Sequence, residues 1–94
     1  MTGYIALVHK DPGTSYGVSF PDVPGCISAA DTFEEAVGGA AEALAGHLAA
    51  MREDGDPIPK ARSFEELKQD REFIEDSAGA IVTIIQPQRL PAEA

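Results

Sequence analysis

The sequence predicts an α+β fold in the order β-β-β-α-(α)-β, one antiparallel sheet with a main helix across one face. Three observations carry this reading. Apolar, β-prone runs lie near both ends, Tyr4 to His9 and Ala80 to Ile85. Between them, Thr32 to Asp54 holds a long stretch with apolar residues at helical spacing. The interval from Lys10 to Cys26 is punctuated by Pro and Gly, so the chain turns back on itself twice before that helix begins.

Tyr4 to His9 is apolar on both faces, and Lys10-Asp11-Pro12-Gly13-Thr14-Ser15 is a turn cluster, so Tyr16 to Phe20 should return antiparallel to it. The next segment, Phe20-Pro21-Asp22-Val23-Pro24-Gly25-Cys26, has the most constrained backbone of the chain. Neither Pro21 nor Pro24 has an amide hydrogen to give to a ladder, so the strand stops at Phe20. Pro24 and Gly25 suit the central positions of a type II turn, the proline fixing φ and the glycine accepting φ > 0. Cys26 to Ala30 then forms a third, short strand whose small side chains fit beneath a helix.

Thr32 and Glu35 have the spacing of a capping box, and Asp31, Glu34 and Glu35 put negative charge where the helix dipole favours it. Phe33, Val37, Ala40, Ala41, Leu44, Leu48 and Met51 form the buried stripe, and Asp54-Gly55 ends it. Gly38, Gly39 and Gly46 each cost about 1 kcal/mol of helix propensity relative to Ala, so packing rather than propensity must hold this helix. Asp56-Pro57-Ile58-Pro59 is an extended linker, each residue before a proline being pushed out of the α region. A second capping-box spacing, Ser63 and Glu66, predicts a peripheral helix from Ser63 to Asp76 with Phe64, Leu67 and the Arg71 stem on its apolar edge. Ala80 to Ile85 is apolar on both faces and reads as a central strand or as an edge covered by another subunit. With one long helix for two apolar sheet faces, a bare face or a strand edge is expected to be buried in an oligomer.

At 94 residues the chain makes one domain, and it buries only about two-thirds of its unfolded surface. No apolar run approaches the ~20 residues of a membrane span. Met1-Thr2-Gly3-Tyr4 lacks the basic and apolar regions of a secretory signal, and one cysteine makes no internal disulfide framework, so a cytoplasmic protein is expected. Seven basic and sixteen acidic residues give a net charge of −9, which argues against direct nucleic-acid binding and for a basic protein partner. Thirteen of the sixteen acids lie between Asp31 and Asp76, against five bases in that span.

Catalytic constellations are missing. His9 ends an apolar strand, His47 lies on the main helix, and Cys26 sits in a half-buried strand, so none has the partner that nucleophilic catalysis requires. Nor do His9, Cys26 and His47 have the paired spacing of zinc ligands. No catalytic residue, metal site, cofactor or phosphate-binding glycine loop is expected.

Three blocks, Tyr16 to Cys26, Asp31 to Ala36 and Gly55 to Pro59, resemble the amino-terminal domain of the HicB antitoxins, in the right order. The resemblance covers roughly residues 4 to 86. It implies a partial RNase H-like fold without the catalytic acids, association into dimers or tetramers, and neutralisation of a small basic HicA-type toxin, an mRNA-cleaving ribonuclease. Asp22, Glu34, Glu35 and Glu42 are then the candidate toxin contacts, while Phe20, Pro21, Asp22, Pro24, Gly25, Cys26, Thr32 and Pro59 form the structural motif. HicB antitoxins usually continue into a helix-turn-helix or ribbon-helix-helix domain. This sequence ends at Ala94, so residues 1–87 are expected to be the HicB-like domain, 88–94 an irregular tail, and operator binding is not expected of them. The second helix is also longer than the connection in the family's simplest members. Two alternatives remain open at the level of sequence: an oligomeric interaction module without a toxin, and an RNase H-like nuclease using Asp11, Asp22 and Asp31 with Mg²⁺.

Overall fold

The computed structural model describes residues 3–88. Its strands are β1 (Tyr4–Lys10), β2 (Tyr16–Ser19), β3 (Ile27–Ala30) and β4 (Ile81–Ile85). Its helices are α1 (Phe33–Glu53), α2 (Phe64–Leu67) and α3 (Arg71–Ser77). The strands form one sheet in the order β3-β2-β1-β4, antiparallel at every pairing. The predicted α+β class and the main helix are both present.

The predicted turns explain the path between strands. Cys26 N–H donates to the Val23 carbonyl at 3.1 Å and Gly25 has φ of 89°, so Pro24 and Gly25 occupy the centre of the expected tight turn. A second bond, Val23 N–H to the Phe20 carbonyl, folds the first half of the connector. Phe20, Val23 and Cys26 point inward and are buried, so the connector is part of the core.

α1 begins at the predicted cap, with only the Thr32 half of the expected capping box formed. The Thr32 side chain accepts from Glu35 N–H at 3.1 Å, and the helix closes at Asp54 with Gly55 at φ 78°. Ala36, Ala40, Leu44 and Leu48 are its buried positions, with Phe33, Val37, Ala41 and Met51 half-buried beside them. They pack on Tyr4, Ala6 and Val8 of β1, Val18 of β2 and Ile85 of β4. The small residues predicted for β3 do permit a close approach. Ser28 Oγ donates to the Ala36 carbonyl at 3.2 Å, and a Cβ on Gly39 would stand 2.9 Å from the Ser28 Oγ.

Two expectations need correction. The predicted continuous helix from Ser63 to Asp76 is two short helices. Lys68 caps α2, and Asp70 leaves the helical region at ψ 118° to accept from Glu72 and Phe73 N–H as the N-cap of α3. The break turns Phe73 inward, whereas Arg71, assigned to the apolar edge, is exposed. Nor is the second sheet face bare. Leu67 and Phe73 cover Ile5 and Leu7 in a small second core. What stays uncovered is at the margins, where β4 proves to be an edge strand rather than a central one.

Candidate protein-binding surface

The connector and the linker are joined by one ion-paired cluster. Asp22, at the middle of the connector, accepts from Arg62 Nε at 2.6 Å and from Arg62 backbone N–H at 2.7 Å. Arg62 Nη1 in turn donates to Asp70 at 3.0 Å. The Asp22 side chain is only 7% exposed, so this is a charge-assisted clamp with little screening on its acidic side. Hydrogen bonding by Asp22, then Asp70, raises the Arg62 pKa further, against an opposing effect of burial. Arg62 holds the Asp70 carboxyl below its ordinary value, and the Glu72 N–H helps. The same Asp70 is therefore both the cap of α3 and the far end of the clamp.

Two further bonds fix the surroundings. The Tyr4 hydroxyl donates to the Pro59 carbonyl at 2.6 Å, which ties the extended linker to β1. Burial raises the Tyr4 phenol above its ordinary value, the Asp22 charge adding and Arg52 opposing, so the proton it donates is retained. On the second face, His9 Nε2 lies 2.9 Å from the Asp76 carbonyl near the end of α3. Burial also pushes the Cys26 thiol up, away from thiolate chemistry.

The candidate contact residues divide into two kinds. Glu34, Glu35 and Glu42 are solvent-exposed on α1, with Glu35 and Glu42 two helical turns apart on one face. Asp22 is committed to Arg62. Of the motif residues, Phe20 and Cys26 are core, Thr32 is the α1 cap, Pro24 and Gly25 are the exposed turn, and Pro59 receives Tyr4. A groove of about 260 Å³ between the connector and α3 is lined by Pro24, Cys26, Ile27, Arg62 and Asp70, among others. Its one basic member, Arg62, is already paired with Asp70, and its other charged members, Glu72 and Asp76, are both acids, so the described residues place no free acid–base couple there. Asp11 lies in the β1–β2 turn and Asp31 at the entry to α1, and among the described residues no three His, Cys, Asp or Glu side chains converge as a metal-holding group.

Arg62, Asp70 and Phe73 are the structural residues that sequence reasoning did not single out. For Asp70 a signal was present, since an Asp two and three residues before the first committed amides of a helix is a favoured N-cap. For Arg62 there was none, because its partner is 40 residues away.

The model of the HicB-like antitoxin family of bacterial toxin–antitoxin systems matches residues 4–93. Over 58 residues the chain is 45% identical to a 14.9 kDa protein from the rep–hol intergenic region of Haemophilus phage HP1. That match covers 62% of this chain and 44% of the phage protein, so the chain spans less than half of that relative. Among solved structures, the Burkholderia pseudomallei antitoxin HicB is similar at TM-score 0.75 and 30% identity, over 98% of this chain and 74% of that one. A chain of a HicA3–HicB3 toxin–antitoxin complex is similar at TM-score 0.70 and 25% identity, over 93% of this chain and 99% of that one.

Proposed function

Because the chain belongs to the HicB-like antitoxin family of bacterial toxin–antitoxin systems, we propose that it neutralises a HicA-type mRNA-cleaving ribonuclease by binding it, without catalysis of its own. The observation that carries this reading is the acidic outer face of α1, in a chain of net charge −9. A ribonuclease that holds RNA through basic residues presents a positive surface, and an acidic face competes for it and accelerates encounter. Glu34, Glu35 and Glu42 are the proposed direct contacts. Asp22 contributes through Arg62, by holding the connector and the linker in place. The likeness to a chain of a HicA3–HicB3 complex supports the choice of partner class.

The same proposal places the protein in the bacterial cytoplasm, where its mRNA-cleaving target acts, and has it self-associate as a dimer or tetramer. The test is co-expression with a HicA-type toxin encoded beside the gene. Restored growth and a co-purifying complex are expected, and growth arrest with no complex sinks the reading. Replacing Glu34, Glu35 and Glu42 together by Lys should slow association roughly ten- to a hundredfold at low salt, measured by stopped-flow or surface binding. An unchanged rate removes these residues from the interface.

A further inference from the structure

β4 is built as a seam. All five of its residues, Ile81-Val82-Thr83-Ile84-Ile85, are β-branched, the composition that best fits an extended, half-buried ladder. One edge pairs with β1 over its whole length, from Tyr4↔Ile85 to Val8↔Ile81. Among the described residues the other edge has no strand beside it, since β4 ends the sheet. Open edges are ordinarily blunted by lysine, proline, a bulge or an inward charge, and β4 has none of these within its span. Ile81, Val82 and Ile84 are instead exposed at 51%, 37% and 64%. α1 lies mainly over β3 and β2, which leaves the outer end of β4 uncovered on that face as well.

The charge distribution selects the occupant. Between Asp76 and Arg89 no residue is charged, although the chain as a whole carries −9. A basic partner finds nothing to pair with there, whereas two copies can meet without bringing their acids together. The opposite edge lacks that property: β3 has four residues and leads directly into the acidic first turn of α1 at Glu34 and Glu35. The strand is also self-complementary. Placed antiparallel to its own copy about Thr83, it sets Val82 against Ile84 of the copy, and Ile81 against Ile85, with every directly opposed pair matched in polarity.

We infer that β4 pairs antiparallel with β4 of a second copy of this chain, centred on Thr83, to make a continuous eight-stranded sheet with both α1 helices on one face. This rests on the self-association proposed above and names the surface that carries it. A five-residue strand pair with its flanking side chains is a small interface, so the dimer belongs to the weak, roughly micromolar class.

Sedimentation equilibrium of the chain alone provides the test, with mass read against the 9.9 kDa of one copy. Wild type should associate with concentration. Ile84→Lys, at a position already largely exposed, should keep the circular dichroism and melting temperature of wild type while weakening association roughly tenfold or more, and Val82→Lys should do the same. Ile27→Lys, on the opposite edge, should leave association unchanged. The double variant Val82→Glu/Ile84→Lys should restore it, because this register puts each new lysine opposite a new glutamate. A wild-type chain that stays monomeric overturns self-association altogether. Association that is indifferent to Ile84→Lys, or a double variant that is not restored, overturns this seam or its register alone. A monomeric wild type whose toxin binding falls in Ile84→Lys assigns the edge to the toxin and also overturns the inference.

Discussion

Asp22 illustrates how one side chain serves two distant segments. Its two carboxylate oxygens take the side-chain and the backbone N–H of Arg62 separately, so the connector and the linker are locked in both position and direction. Arg62→Ala removes one donor of that lock and leaves a nearly buried carboxylate without its countercharge. The expected loss is about 2 kcal/mol of stability, discounted for the partial exposure of the arginine, measured by urea denaturation. Acid should act on the same cluster. Since the Asp70 carboxyl titrates below its ordinary value in the folded protein, its contribution is complete above the unfolded carboxylate pKa and is lost as pH falls through the folded one. Melting temperatures followed from pH 6 downward should therefore drop less steeply in Asp70→Asn than in wild type.

At the scale of elements, each face of the sheet is held differently. α1 is long, capped and closely seated at Gly39, where an added Cβ would crowd the Ser28 oxygen, whereas Gly38 and Gly46 face open space and are carried by the packing of the rest of the helix. α2 and α3 have only four and seven residues, and they depend on two buried side chains, Leu67 and Phe73, with the Arg62 and His9 bonds. Leu67→Ala should thus cost roughly 2–3 kcal/mol and raise hydrogen exchange across 63–77 before the rest of the chain is affected. The sequence was informative wherever the determinant was local. The Pro24-Gly25 turn, the Thr32 cap, the Gly55 stop and the 3.6-residue stripe of α1 need nothing outside their own segment. It was silent where a distant partner decides. The inward turn of Phe73 depends on Ile5 and Leu7 being there to receive it, and the break at Asp70 is reinforced by an arginine that itself answers to Asp22. The candidate site shows the same division: the exposed acids of α1 follow from helical geometry, while the pairing of Asp22 was visible only in three dimensions.

Viewed whole, the molecule separates its charge from its open edge. Most of the acids lie on the helices, at their ends and in the linker, and the stretch around β4 is neutral, so the proposed toxin and the proposed second copy would meet different surfaces. Salt should discriminate between them. Raising ionic strength from about 50 to 500 mM shortens the screening length from roughly 14 to 4 Å and should slow toxin capture markedly while leaving self-association nearly constant, as read by association rates and sedimentation. The sheet order also governs how the chain is made. β1 is an interior strand, and one of its two neighbours, β4, is the last strand of the described residues in chain order. While the chain is still on the ribosome, the flank of β1 that β4 will occupy stays open, with Ile5 and Leu7 lacking Leu67 and Phe73 above them until those residues emerge. The nascent chain can thus form the β1–β2 and β2–β3 pairings before β4 is available, and the sheet is completed by the strand that also forms its outer edge.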